Sequence, residues 1–210
     1  MGIDKIGILV SGRGSNLQAI IENVEEGILK AEIGIVISDI ADAPALQKAE
    51  ASAIETMYID PETKGVSLKG NAEEKYIDEL KKRDIRLVCL AGFMRIVKKK
   101  FINAFSDPEY PSMILNIHPS LLPSFKGLHA QKQAWEYGVK FTGCTVHFVT
   151  EDVDGGPIIK QSIVPVLNDD TPDTLAQRIL KEEHKIYSEA ISLVLERRIK
   201  IEGRRVLLRR

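Results

Sequence analysis

The segment NIHPSLLP, residues 116–123, brings an amide and an imidazole close together in the sequence. Asn116 and His118 lie two residues apart at the end of an apolar run, so on a β-strand both side chains point to one face. An amide N–H stabilises a developing oxyanion, and an imidazole transfers a proton. The segment therefore predicts a catalytic pair, although a hydrogen-bonded asparagine beside a core histidine is the alternative.

A carboxylate follows in the segment DVDGGP, residues 152–157. The two glycines and the proline after Asp154 indicate a sharply turned backbone. A carboxylate near an imidazole raises the pKa of that imidazole and fixes its tautomer, which makes Asp154 a candidate partner for a histidine. The alternative is a surface turn with Asx-type hydrogen bonds, and a calcium loop is disfavoured because the alternating oxygen ligands end at Gly155.

A glycine-containing loop lies near the start of the chain, in GILVSGRGSNLQAI, residues 7–20. Gly14, Ser15 and Asn16 precede an amphipathic pattern, and a helix N-terminus there offers free N–H groups to an anion. Leu17 stands where a dinucleotide fingerprint has its third glycine, but Asp39 is placed as the acidic residue of such a fingerprint. The loop alone therefore leaves three alternatives open: a dinucleotide, another phosphate, or a plain turn capped by Ser15 or Asn16.

A buried carboxylate is expected on the last long helix. Glu183 falls on an apolar stripe between Ile179 and Ile186, where a charge requires a partner or a ligand. Pairing with an arginine is the alternative. His184 points away from this stripe, and we expect it to face solvent.

The elements that must position these residues alternate between strand and helix patterns, which predicts an α/β fold. We expect a single domain over residues 1–210, built on a mostly parallel, doubly wound (Rossmann-like) sheet with an antiparallel C-terminal addition. A phosphate-binding half would cover about 1–110 and a catalytic half about 111–210. The predicted strands are 7–10, 32–38, 56–59, 85–92, 112–118, 145–149 and 157–166, and the predicted helices begin near Leu17 and cover 45–53, 73–82, 130–137 and 172–198. Residues 60–71 are predicted to form a loop.

The charge balance of the 210 residues is nearly even, with 29 basic and 30 acidic side chains and a net charge of −1. This argues against nucleic acid or an anionic membrane as the main partner. The basic tail RRIKIEGRRVLLRR is expected to be a solvated end, with anion binding as the alternative. Cys89 and Cys144 lie in apolar runs and are expected to be reduced. Without a signal peptide or a membrane-spanning run, we expect a cytoplasmic protein.

Five segments together make the chain similar to the folate-dependent phosphoribosylglycinamide formyltransferase family. They are SGRGSNLQAI (11–20), LAGFMRIV (90–97), LNIHPSLLPSFKGLHAQKQAWEYG (115–138), GCTVHFVTEDVDGGPII (143–159) and EEHKIYSEA (182–190). They occur in the order of that family and cover nearly the whole chain. The long block around NIHPSLLP joined to a downstream DGGP is far more specific than a short glycine pattern.

The resemblance implies a function in purine synthesis, with transfer of a formyl group from 10-formyltetrahydrofolate to the amine of glycinamide ribonucleotide. It implies Asn116, His118 and Asp154 as the catalytic residues, with Asp154 keeping His118 protonated, and no metal. The implied substrate-binding residues are Gly14, Ser15, Asn16, Gly92, Pro119 and Glu183, with the phosphate on the glycine loop and the ribose hydroxyls on Glu183. The implied folate-binding residues are Met94, Arg95, Ile96, Val97, Asn116, Thr150, Glu151, Val153 and Asp154.

Two positions depart from the family pattern. Glu73 stands where the family often has an arginine or lysine near the glutamate tail of the folate, and Leu180 stands where a polar residue is usual. The implied partners are small molecules, with neither nucleic acid nor membrane, and the sequence leaves the oligomeric state, a homodimer included, open.

Three other functions are compatible with parts of the pattern. Methionyl-tRNA formyltransferase shares the NIHxSLLP core, but it has a further C-terminal domain for which we expect no room here. Formyltetrahydrofolate hydrolase has an additional N-terminal domain, whereas the glycine loop here begins near residue 1. A non-catalytic nucleotide-binding module would require the Asn–His–Asp set to be coincidental.

Overall fold

The computed structural model describes residues 2–63 and 65–209 and divides them into two compact units, one ending at Leu115 and the other beginning at Asn116. The strands are β1 Lys5–Val10, β2 Glu32–Ser38, β3 Thr56–Tyr58, β4 Leu87–Leu90, β5 Ile114–His118, β6 Phe141–Phe148, β7 Ile158–Pro165, β8 Ile199–Glu202 and β9 Arg205–Leu208. The helices are α1 Ser15–Glu25, α2 Pro44–Ala51, α3 Gly70–Lys81, α4 Lys99–Ala104, α5 Ala130–Tyr137 and α6 Pro172–Leu195.

The first unit contains parallel strands in the order β3-β2-β1-β4. Every residue of β1 from Ile6 to Val10 is buried, as expected for a parallel strand with both faces covered. The register pairs Val10 with Ser38 and Leu9 with Leu90. The segments that follow β1, β2 and β4 therefore lie at the same edge of the sheet, where ligands of open α/β sheets bind.

In the second unit the strand order is β5-β6-β7-β9-β8. β6 and β7 are antiparallel, β9 runs parallel to β7, and β8 and β9 form an antiparallel hairpin. Helix α6 packs against β6 and β7. It begins with a capping box, in which Thr171 and Thr174 each accept a hydrogen bond from the other's backbone N–H, and with Pro172 at its first turn.

The predicted fold class is confirmed, because parallel strands alternate with helices and antiparallel strands follow towards the C-terminus. The expected extent of one domain over residues 1–210 stays a prediction. The loop expected at 60–71 is shorter, since α3 begins at Gly70, and residue 64 of that loop lies outside the described residues. Helix α4 has no counterpart among the predicted elements.

The basic tail is solvent-exposed at its charged side chains from Arg198 to Arg209, as predicted, but it is also regular structure. Residues 199–208 form the β8–β9 hairpin at the edge of the sheet, which the sequence analysis did not predict. Alternation of apolar and charged residues gives β8 one buried side, with Ile199 only 1% exposed.

Both cysteines are free and buried, as predicted. Among the described residues, no helix has the combination of length and apolar character needed to cross a bilayer.

Candidate active site

The glycine loop of the first unit joins β1 to α1. Gly14 is the N-cap of α1 in the left-handed conformation, with φ +68°, and a Cβ there would lie 2.7 Å from the Cβ of Ala45. A side chain at position 14 is thus excluded by both backbone and space. The N-cap is Gly14 itself and has no side chain to cap the helix, so the alternative in which Ser15 or Asn16 is the cap is not the arrangement observed. The first N–H groups of α1 lack acceptors within the helix, which makes this end suited to an anion.

Asp39, which follows β2, is engaged by Arg95 and not presented for a ribose. The carboxylate is 2% exposed, and its Oδ2 lies 2.6 Å from Nε of Arg95. Arg95 also donates to the carbonyl oxygens of Thr63, at 3.3 Å, and Gly65. The pair therefore connects the end of β2 to the loop before α3, and the acidic residue of a dinucleotide fingerprint is not available here.

The segment 94–97, implied to bind folate, is only partly available to a ligand. The backbone N–H of Met94 donates to Oγ of Ser11 at 2.8 Å, while 54% of Met94 is exposed. Ile96 forms main-chain hydrogen bonds with Val66 at 2.7 Å and with Leu68 at 3.0 Å. Val97 is 4% exposed and makes no main-chain hydrogen bond within residues 2–63 and 65–209.

Gly92, another of the implied substrate residues, adopts a positive φ of 74° after β4, and a Cβ added there would have no atom within 4 Å. Its carbonyl accepts a hydrogen bond from the N–H of Ser11 at 3.1 Å, which ties the end of β4 to the glycine loop.

In the second unit the structure brings the predicted histidine and carboxylate together. Nδ1 of His118 lies 3.4 Å from Oδ2 of Asp154, and the two side chains are 6% and 9% exposed. Nε2 of His118 lies 2.9 Å from the carbonyl oxygen of Phe125. Both ring nitrogens therefore face acceptors, and a protonated ring would donate to both.

A second histidine, missed by the sequence reasoning, completes this cluster. Nε2 of His147 lies 3.1 Å from Nδ2 of Asn116 and 3.7 Å from Oδ1 of Asp154. Nδ1 of His147 lies 2.9 Å from the carbonyl oxygen of Phe148, so Nδ1 carries the proton and Nε2 accepts from the amide of Asn116. His147 looks like a core residue within TVHFV, and the only signal for it was its place near the end of β6.

The pKa of His118 is lowered in this cluster, whereas the sequence analysis expected Asp154 to raise it. Burial lowers the pKa of the His118 ring below its usual value, and the negative charge of Asp154 opposes this effect without overcoming it. Burial also disfavours the ionised form of Asp154, but hydrogen bonding to the carboxylate, including that from the N–H of Gly127, outweighs it and lowers the pKa of the carboxyl. The free protein thus holds an ionised Asp154 beside a His118 whose protonation is suppressed.

The turn that carries Asp154 is tightly constrained. Asp154 has a positive φ of 51°, which is uncommon for a residue with a side chain. A Cβ at Gly156 would lie 1.8 Å from the carbonyl oxygen of Phe148, and one at Gly155 would lie 1.8 Å from the side chain of Asp152. The carbonyl oxygen of Gly155 accepts a hydrogen bond of 2.7 Å from Nη2 of Arg204.

Glu183 is buried on the core-facing side of α6 with Ile179 and Ile186, as predicted. Burial, with the charge of Glu183 as the next cause, raises the pKa of the Cys144 thiol to about 12, so this thiol stays protonated at neutral pH. His184 is half-buried instead of facing solvent, so the expectation for it is wrong.

The other implied residues differ in exposure. Pro119 and Thr150 are half-buried, whereas Glu151 and Val153 are exposed at the loop before the Asp154 turn. Glu73, at the position that departs from the family pattern, is 5% exposed. Within the described ranges, no group of three or more histidine, cysteine, aspartate or glutamate side chains is arranged to hold a metal ion.

Comparison with known proteins gives a consistent result. The model of the formyl transferase family matches residues 4–191. The phosphoribosylglycinamide formyltransferase of Bacillus subtilis is 38% identical over 191 residues, covering 91% of this chain and 94% of that protein. The human trifunctional purine biosynthetic protein adenosine-3 is 47% identical over 192 residues, but this chain, of which 90% is aligned, covers only 18% of its length.

Solved structures agree with this result. The glycinamide ribonucleotide transformylase 1 of Symbiobacterium toebii matches with a TM-score of 0.90 and 49% identity, covering 98% of this chain and 94% of that one. A formyltetrahydrofolate deformylase from Burkholderia mallei matches with a TM-score of 0.85 and 27% identity, covering 100% of this chain and 71% of that one.

Proposed function

The chain belongs to the formyl transferase family, and on that premise we propose that it transfers the formyl group of 10-formyltetrahydrofolate to the amine of glycinamide ribonucleotide. The observation that carries the proposal is the cluster of Asn116, His118 and Asp154 in a chain that covers 94% of a bacterial phosphoribosylglycinamide formyltransferase. The products would be the N-formyl ribonucleotide and tetrahydrofolate, a step of purine synthesis.

The reaction needs no nucleophile from the protein. The amine nitrogen attacks the formyl carbon and forms the new C–N bond, while the carbonyl electron pair moves onto oxygen. Collapse of this tetrahedral intermediate breaks the bond to N10 of the folate, and the proton lost by the amine goes to N10. The protein's part is to stabilise the oxyanion and to move that proton.

The cluster is suited to both tasks. One N–H of the Asn116 amide is used by His147, which leaves the second N–H for the oxyanion. The developing negative charge also favours a protonated His118, which burial disfavours in the free protein. For Nε2 of His118 to reach the formyl oxygen, that oxygen must replace the carbonyl of Phe125 as its acceptor. Asp154 would support the imidazolium and, through water, guide the proton towards N10.

The remaining roles follow from the family resemblance and from local chemistry. The N–H groups at the start of α1, with Gly14, Ser15 and Asn16, would bind the phosphate. Glu183 would accept hydrogen bonds from the ribose hydroxyls, and Gly92 and Pro119 would border the glycinamide arm. The pterin would use the main chain of Val97 and the loop Thr150–Asp154. We propose that the protein acts in the cytoplasm and without a metal ion.

The experiment is a turnover assay with 10-formyltetrahydrofolate in the presence and absence of glycinamide ribonucleotide. We expect tetrahydrofolate and the formylated ribonucleotide to form together, and Asp154→Ala to lose most of kcat with little change in the KM of either substrate. Release of formate without the ribonucleotide would instead identify a deformylase, the function suggested by the Burkholderia mallei structure. Absence of both reactions would contradict an enzymatic role.

A further inference from the structure

The backbone of the turn that carries Asp154 is held by hydrogen bonds to groups outside the predicted cluster of Asn116, His118 and Asp154. Asp154 adopts φ +51°, a conformation that non-glycine residues adopt only when their surroundings hold them in it. Within the turn, the N–H of Gly155 donates to the carbonyl oxygen of Asp152 at 3.0 Å. The carbonyl oxygen of Gly155 accepts a hydrogen bond from a side chain that lies near the C-terminus of the sequence.

That side chain is Arg204, at the tip of the β8–β9 hairpin. Nη2 of Arg204 donates to the carbonyl oxygen of Gly155 at 2.7 Å, and this hydrogen bond is partly buried. A hydrogen bond from a guanidinium is charge-assisted and stronger than one between neutral groups. It acts on the Gly155–Gly156 peptide, one residue beyond Asp154, so it restrains the turn whose movement would take the carboxylate away from His118.

The hairpin is built to place Arg204 there. Gly203 takes the positive φ of 62° that the two-strand connection requires. The next residue, Arg205, pairs in parallel register with Ile158, which lies four residues after Asp154. The match to the formyl transferase family model ends at residue 191, so this contact comes from a part of the chain outside the matched region.

We propose that Arg204 is a positioning residue for the reaction, which holds the carboxylate of Asp154 against His118 and His147 through the carbonyl of Gly155. The inference rests on the proposed function. The basic tail, for which the sequence allowed only solvation or anion binding, thereby takes part in shaping the catalytic cluster.

The test compares Arg204→Ala with two other variants in the formyl transfer assay and in an NMR titration of His118. We expect Arg204→Ala to lower kcat roughly ten-fold and to leave the KM values nearly unchanged. A misplaced carboxylate reduces the stabilisation of the transition state more than it reduces substrate binding. The pKa of His118 should fall further, since the nearby negative charge becomes less well fixed. Arg204→Lys, which keeps a charged donor, should recover part of kcat.

The matched control is Arg205→Ala, which removes the neighbouring arginine of the same hairpin. The side chain of Arg205 makes no hydrogen bond within the described residues, and we expect kcat and the pKa of His118 to stay at their wild-type values. Thermal denaturation of all variants separates loss of the fold from loss of position.

A double variant makes the test decisive. If Arg204 acts through Asp154, then adding Arg204→Ala to Asp154→Asn should change kcat little beyond the single Asp154→Asn change. If the losses in kcat of Arg204→Ala and Asp154→Asn multiply in the double variant, the inference is overturned. It is also overturned if Arg204→Ala has the wild-type kcat and the wild-type pKa of His118. Absence of formyl transfer by the wild-type protein would instead refute the proposed function, while the shift of the His118 pKa still tests the position of Asp154.

Discussion

Asn116 donates its side-chain amide to Nε2 of His147 across 3.1 Å, and His147 is itself oriented by the carbonyl oxygen of Phe148. This relationship fixes which end of the Asn116 amide is the N–H₂ end. An amide held in this orientation offers a donor to an oxyanion, whereas a rotated amide would present its oxygen to the same charge. The orientation of the proposed oxyanion donor therefore depends on the hydrogen bonds of a histidine on the neighbouring strand.

The first prediction concerns that histidine. His147→Ala should lower kcat about five-fold, because the amide of Asn116 loses the acceptor that orients it and one such hydrogen bond contributes about 1 kcal/mol. His147→Gln carries an acceptor oxygen near the position of Nε2 and should retain more activity. The measurement is steady-state kinetics with both substrates, and an alanine variant as active as the wild type would contradict the orienting role.

The second prediction concerns pH. Asp154→Asn should lower the pKa of His118 further, because the carboxylate is the main charge that opposes the effect of burial. NMR titration of the ring in the free protein measures this directly. Asp152→Asn is the matched control, since it removes an exposed carboxylate of the same turn, and it should leave the titration unchanged. An unchanged His118 pKa in Asp154→Asn would mean that the two groups are not coupled.

The lowered pKa of His118 also makes the free energy of unfolding depend on pH. The pKa of His118 in the folded protein lies below that of the unfolded chain, so the unfolded chain binds the proton more readily. His118 therefore reduces the free energy of unfolding as the pH falls below about 6.5, and this contribution is absent at higher pH.

The third prediction concerns the Asp39–Arg95 pair. Arg95→Met leaves a carboxylate that is 2% exposed without its cation and should lower the free energy of unfolding by about 3–5 kcal/mol. Arg86→Met is the control, because Arg86 and its partner Asp4 are 37% and 28% exposed, and it should cost at most about 1 kcal/mol. Urea denaturation checks both values. Equal losses in the two variants would mean that burial does not govern the cost.

The fourth prediction concerns metals. Formyl transfer should survive exhaustive treatment with a chelator, because attack by an amine on a formyl carbon needs no metal-bound water. Recovery of a lost activity on addition of zinc or magnesium would contradict this expectation.

The sequence was informative where a pattern has a single period or a specific chemical function. β1 and β2 follow from their apolar runs, and the predicted start at residue 172 is the first residue of α6. Glu183 was identifiable because a charge on an apolar stripe is costly. The proximity of His118 and Asp154 followed from the family resemblance, because pattern alone does not specify contacts between residues 36 positions apart.

Other features depended on tertiary context. His147 looks like any buried polar residue of a strand until the structure places it between Asn116 and Asp154. The pKa of His118 was expected to rise, because a nearby carboxylate can be inferred from a motif but the depth of burial cannot. The β8–β9 hairpin was missed because eight of the fourteen tail residues are arginine, lysine or glutamate, which obscures its alternation.

The two glycines after Asp154 differ in how much room their surroundings leave for a side chain. At position 156 a methyl group would meet the carbonyl oxygen of Phe148, which belongs to the sheet and cannot move aside. At position 155 it would meet the side chain of Asp152, whose carboxylate is 68% exposed and can rotate away from its contact with Lys126, while its Cβ, at 2.8 Å, also requires a small shift of the backbone. Alanine is therefore accommodated more readily at 155 than at 156, where the obstacle is the main chain of a strand.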